Sequence, residues 1–271
     1  MKLHTLLFVI FAAFCAPHSF CQPASEFIVP LNVPDGAVSM RMVLVPGGEF
    51  HADLNASTVM PQFYIGAYEV TQAQWQAVMG EANNSFYPGE DRPMELSFND
   101  AQQFVEKLNT LGLGEFRLPW EIEWEYAARA ETASLFWFGD EMDCSLDGTS
   151  YCEWFDRFMW WAGNFRVGTQ INLGSKDVGQ KEANAWGLYD IHGNMSEWCL
   201  DGRIEPADPE VADDEATPLR VLKGGSWGDA AGECAIASRS ELPEGFRSPA
   251  LGVRLVLITS ELTNISDWEQ Y

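Results

Sequence analysis

The stretch Lys223 to Ser240, KGGSWGDAAGECAIASRS, sets Ser226 behind two glycines, Asp229 three positions later and Cys234 five beyond that. A thiolate is a nucleophile or a soft-metal ligand, and in an oxidising compartment a cysteine is more simply half of a disulfide. All three chemistries are open to Cys234. The segment GGSWG also fits the G-x-S-x-G turn on which hydrolases mount a nucleophilic serine, through Gly224, Ser226 and Gly228. That reading fails on its partner, because the base must be a histidine after the serine, and all four histidines of the chain precede Ser226.

Only His51 and His192 lie outside the apolar leader described below, so a three-histidine metal site cannot be built. A facial triad would need both to converge with a carboxylate. His192 sits in the turn DIHGN, where a surface or loop-packing role is expected. Hard cations are better served. DCSLDG, Asp143 to Gly148, opens like a calcium loop, with Asp143, Ser145 and Asp147 alternating before a glycine, but Trp154 stands where the closing glutamate belongs. Cys144 and Cys152 make a small disulfide loop the simpler reading there. In WGLYDIHGNMSEWCLD, Asp190 and Glu197 bracket a Gly-Asn turn, so two carboxylates and the carbonyls between them would suit calcium. The alternative is that both acids cap backbone N–H groups in a tight turn.

The elements that must position these residues follow from local pattern. TQAQWQAVMG carries Thr71 as N-cap, Gln74 as its capping-box partner and Gly80 as the stop. SFNDAQQFVEKLNTLG starts a helix at Ser97, whose Ala101, Phe104, Val105 and Leu108 follow the spacing of one buried stripe. LPWEIEWEYAARA predicts a third helix, with Pro119 in its first turn, acids at the positive end of the dipole and Arg129 near the other. Strands are expected over Ser39 to Val45 and in RVLKGGSW and LGVRLVLI. Between Glu131 and Lys181 the periodicity lapses, which reads as long ordered loops, and the acidic run Glu205 to Pro218 reads as an exposed loop.

The chain of 271 residues shows no internal repeat, and 11 tryptophans with 17 phenylalanines indicate loops fixed by aromatic packing. Its first residues, MKLHTLLFVIFAAFCAPHSF, hold an apolar run from Leu6 to Phe14 that is too short to span a bilayer and reads as a secretory signal over residues 1–21. A linker over 22–37, a soluble periplasmic or extracellular protein and no membrane insertion are the corresponding expectations. The formal net charge of −24 repels nucleic acid and anionic membranes. Four cysteines remain after the leader, Cys144, Cys152, Cys199 and Cys234, and an even count in an oxidising compartment favours two disulfides.

Taken in order, YEVTQAQW, SFNDAQQFVEKLN, FRLPWEIEWEYAARA, WGLYDIHGNMSEW, VLKGGSW and LGVRLV resemble the sulfatase-modifying-factor family, typified by the formylglycine-generating enzyme, over about residues 40 to 257. The resemblance implies one irregular α/β domain, over residues 38–260 and followed by a tail over 261–271, with little regular secondary structure and a fold related to the C-type lectin-like folds. It implies structural calcium on Asp190, the carbonyls of Gly193 and Met195, and Glu197, with a second calcium loop somewhere between Asn164 and Gly174.

Formylglycine-generating enzymes oxidise a substrate cysteine with oxygen and a copper ion held by two cysteines downstream of the GGS motif. Counted from Ser226, the second of these positions is Cys234 but the first is Asp229, and the tryptophan of the family's oxygen pocket falls at Ser196. A lone thiolate beside a carboxylate is a poor cuprous site. The resemblance also implies that the Cys199 segment lies close to the GGS strand, so a Cys199–Cys234 disulfide is expected, with a free reactive Cys234 and a buried inert thiol as the alternatives. Two functions follow as expectations: an oxidoreductase of altered substrate or mechanism acting around Ser226, Asp229 and Cys234, or a non-catalytic, calcium-dependent module that binds a peptide, glycan or partner protein as a monomer.

Overall fold

The computed structural model describes residues 26–33, 36–53, 56–80, 84–140, 151–164, 166–167, 170–171, 173–205 and 217–258. The leader, the tail over 261–271, the Asp143 to Gly148 loop with Cys144, and most of the acidic run lie outside those residues. In chain order the strands β1 (Glu26–Val33), β2 (Gly36–Val45), β3 (Gly48–Asp53), β4 (Ala56–Met60) and β5 (Phe63–Gly66) precede helices α1 (Gln72–Met79) and α2 (Phe98–Asn109). Then come β6 (Glu115–Arg117), α3 (Glu121–Arg129), α4 (Glu153–Asp156), the short strands β7 (Arg166–Val167) and β8 (Gln170–Ile171), β9 (Ser196–Glu205), β10 (Thr217–Lys223), β11 (Arg239–Pro243), β12 (Leu251–Gly252) and β13 (Val256–Ile258).

Two sheets carry the domain: a five-stranded one in the order β1-β2-β5-β13-β6, and a four-stranded one in the order β11-β10-β9-β12. Side chains alternate across a strand, and β2 uses both of its faces. Met40 and Met42 point into a core with α1 and α2, where Phe104, Leu108, Trp198 and Leu257 are buried. Val43 and Val45 point into a second core built on Trp124, Trp186, Leu188 and Val221. A smaller cluster of Phe136, Phe155, Met159, Trp161 and Cys234 lies under the loops between α3 and β9.

The capping chemistry appears where the pattern places it. Thr71 Oγ1 accepts from Gln74 N at 3.3 Å while Gln74 Oε1 accepts from Thr71 N at 3.0 Å, and Gly80 closes α1 at φ 73°. In α2, Ala101, Phe104, Val105 and Leu108 are all buried, as their spacing requires. Two expectations need correction. Pro119 precedes α3 instead of entering its first turn, since Trp120 is the N-cap. Residues 26–33, expected to belong to a linker, form β1, paired in antiparallel register from Glu26↔Val43 to Val33↔Gly36. Val29 and Leu31 carry it into the core with 1% and 2% exposure, and only the β2 partner makes that burial possible.

Among the described residues no helix is long and apolar enough to cross a membrane.

Candidate functional site

β10 ends in the GGS turn, and β9 begins at Ser196, so that Glu197 is already in the strand and the sheet brings the two motifs side by side. Lys223 and Glu197 are direct cross-strand partners, and Gly193 N donates to Gly224 O at 2.9 Å. Gly225 adopts φ 65°, and a Cβ there would lie 2.8 Å from Cys234 Sγ and 2.9 Å from Glu233 O. Only glycine lets the turn lie against the segment that follows it.

The three residues singled out for chemistry do converge. Ser226 donates from both N and Oγ to Asp229 Oδ2, each at 2.7 Å, and Cys234 Sγ donates to Ser226 O at 3.8 Å. They differ in access. Asp229 lines a cavity of about 310 Å³ together with Ser196, Glu233, Ser238, Arg239 and Ser240, whereas Cys234 is 0% exposed behind the turn. Burial first, and then the negative charges of Asp229 and Glu233, push the Cys234 thiol well above its ordinary range. It stays protonated, which makes it a poor nucleophile and a poor metal ligand.

The expected Cys199–Cys234 disulfide is not formed: both are buried free thiols. Alternation along β9 is the reason. Trp198 turns into the first core and Cys199 into the second with Val221 and Ile236, while Cys234 packs in the third cluster. Cys152 is disulfide-bonded.

His192 is a buried clamp, 0% exposed, and not a metal ligand. Nδ1 lies 2.8 Å from Cys234 O, and Nε2 accepts from Trp137 N at 3.2 Å, which fixes a neutral tautomer with its proton on Nδ1. His51 is exposed near Glu49, so the two histidines do not converge. Burial lowers the His192 pKa from 6.5 to about 4. The unfolded chain therefore takes up this proton first, and the stability linked to His192 is complete above pH 6.5 and lost as pH falls toward 4, on the order of 3 kcal/mol. Asp190, raised by burial to about 6, works in the opposite direction over part of that window. The clean readout is the His192 imidazole resonance, expected to remain in its neutral form until about pH 4; titration near 6.5 would contradict the clamp.

The implied calcium ligands do not fit as a set. Glu197 Oε1 accepts from Arg254 Nη2 at 2.8 Å and Nε at 3.2 Å, and Oε2 accepts from Arg254 Nε at 3.0 Å and Trp124 Nε1 at 2.7 Å. Its carboxylate is taken up by Arg254 and the Trp124 indole. Asp190, at φ 57°, accepts from Gly179 N at 2.6 Å through Oδ2, while its Oδ1 is buried with no partner. Glu69, in the YEVT motif, is 1% exposed with both carboxylate oxygens unpartnered. Sequence reading passed over Glu69 and Arg254, although a glutamate between Tyr68 and Val70 and an arginine inside LGVRLV were the available signals. In the second implied loop Asn164 is spent on the protein, donating to Asp156 Oδ1 and Met159 O and accepting from Trp161 N.

The chain is similar to known proteins over nearly all of this frame. It is 28% identical over 258 residues to chaperone protein LppX of Paenibacillus barcinonensis, covering 81% of this chain and 90% of that one. It is 31% identical over 180 residues to the formylglycine-generating enzyme of Thermomonospora curvata, covering 58% of this chain and about half, 52%, of the enzyme. Among solved structures, Treponema denticola variable protein 1 superposes with a TM-score of 0.63 at 27% identity, over 86% of this chain and 98% of that one. The family model for the sulfatase-modifying factor enzyme 1-like domain matches residues 33–258, and the chain belongs to that family.

Proposed function

We propose that this protein is an exported binding module of the family, with the cavity beside the GGS turn as its ligand site, and not a copper oxidase. One observation carries the reading: the thiol at the site is sealed behind the turn, and the carboxylate at the other copper position is committed to Ser226. Two soft sulfurs are what a cuprous ion requires; one protonated thiol and one engaged carboxylate do not supply them.

The open wall suits a polar ligand. Ser196 and Ser240 offer hydroxyls, Glu233 offers a carboxylate beside Asp229, whose Oδ2 is taken by Ser226, and Arg239 is held by Glu121 and Glu241 at 3.1 Å each. With a chain charge of −24, ligands carrying positive charge are attracted from a distance. A peptide segment or a glycan fits this wall, and the chaperone name of the Paenibacillus relative favours a protein partner. Export rests on the apolar leader, and the disulfide at Cys152 agrees with an oxidising compartment.

Peptide and glycan libraries screened against the full chain test the reading, with Ser196→Trp as the variant that fills the cavity. Ligands are expected to bind the wild type and to lose at least about tenfold in affinity in the variant, since the indole would occupy their volume. Oxygen-dependent conversion of a cysteine peptide by the wild type would refute it.

A further inference from the structure

β11 is an outer strand of its sheet and pairs with β10 alone. Its register decides which backbone groups are left over. Glu244 N donates to Pro218 O at 3.1 Å, one step beyond the Leu219↔Pro243 pair, and bonded and unbonded pairs alternate along an antiparallel ladder. Ser240 and Leu242 therefore bond across to β10, while Arg239 and Glu241 turn their N–H and C=O groups to the free edge. Pro243, the next outward position, agrees with this, since proline is tolerated where its nitrogen faces away from the ladder. Among the described residues the outward groups of Arg239 and Glu241 have no partner.

The cavity beside the GGS turn lies along the same strand. Ser240 and Leu222 are direct cross-strand partners, share one face of the sheet and both line the cavity. The charge around it is one-sided. Arg239 is held by Glu121 and Glu241, and Lys223 by Glu121 and Glu125. Glu233 and Asp229, on the cavity wall, meet no cation among the described residues.

We infer that the ligand is an extended peptide segment that joins the sheet along β11 and places a lysine or arginine, opposite Ser240, in the cavity. The outward N–H and C=O groups of Arg239 and Glu241 supply the main-chain bonds by which an added strand is held. On such a strand the residue opposite Ser240 lies on Ser240's face, so its side chain points to the cavity side. A basic tip there meets two uncompensated carboxylates, which would repel an acidic one. The inference rests on the binding-module reading and narrows it, because a glycan has no main chain to add to a sheet.

Random dodecapeptides panned against the full chain, with the recovered peptides titrated as free synthetic chains, test it. They are expected to share a lysine or arginine at one position, and glutamate there is expected to weaken binding at least about tenfold. Two variants at one residue isolate the edge. Arg239→Gln keeps the N–H and removes the cation beside the wall, so basic peptides are expected to bind more tightly. Arg239→Pro removes the same charge together with the outward N–H, and is expected to bind at least about tenfold more weakly than Arg239→Gln, with its melting temperature checking that it folds. Amide exchange at Arg239 and Glu241 in the wild type is a readout without mutation, and both amides are expected to slow when peptide is bound. Equal binding by the two variants, or no slowing, overturns strand addition, and the cavity reading survives if Ser196→Trp still weakens binding. Peptides with no shared basic residue overturn the charge assignment. If only glycans bind, the inference fails and the module reading stands; if neither class binds at millimolar concentration, both fail.

Discussion

Replacing Arg254 by methionine is expected to cost about 3–5 kcal/mol, the range for removing one partner of a buried ion pair. The side chain is 0% exposed. Its loss would leave Glu197 with only the Trp124 indole as donor, at 2.7 Å, and would leave the carbonyls of Gly66 and Tyr189 without their guanidinium donor. Arg254→Lys is expected to recover little, because one ammonium cannot bridge Glu197 in two places while reaching two carbonyls. Urea unfolding followed by tryptophan fluorescence measures both. A loss below about 1 kcal/mol would place Arg254 among ordinary surface ion pairs and undo the account of the acid cluster.

The second large effect is expected at Gly193. A Cβ there would lie 1.7 Å from Trp160 O, and the residue holds φ 90°. Trp160 is tied to the loop on both sides, donating from N to His192 O at 3.2 Å and accepting from Asn194 N at 2.9 Å. Alanine must therefore push the Trp160 strap off the loop that carries Asp190, His192 and Glu197. Gly193→Ala is expected to cost about 4 kcal/mol or more, the size reserved for overpacking against fixed backbone. Gly80→Ala is the control: φ is 73°, but nothing lies within 4 Å of the new Cβ. Only the left-handed backbone is penalised there, by about 1–2 kcal/mol. Equal effects at the two positions would show that the strap gives way easily.

What could be read from the chain alone was what short segments decide for themselves. Thr71 with Gln74, and Ser97 with the stripe from Ala101 to Leu108, fix their helices by contacts within one or two turns. The Gly-Asn turn between Asp190 and Glu197 was legible for the same reason, since the backbone there needs positive φ at Gly193 and Asn194. Long-range partnership was not legible. Glu197 reads as a cation ligand until Arg254 arrives from β13's side of the fold, 57 positions later, and claims both of its oxygens. Glu69 reads as an ordinary polar residue until the sheets bury it. The disulfide expectation failed on direction: proximity of two segments does not say which core each thiol faces. β1 reads as a linker until antiparallel pairing with β2, from Glu26↔Val43 to Val33↔Gly36, gives Val29 and Leu31 a core to enter.

Thiol accessibility of the native, reduced chain, measured with and without one equivalent of Cu(I), bears most directly on the proposed function. Buried and protonated, Cys199 and Cys234 are expected to resist alkylation until the chain is unfolded, and Cu(I) is expected to pass to a competing chelator. Rapid labelling of Cys234, abolished by a single tightly bound Cu(I), would contradict the account and return the site to redox chemistry.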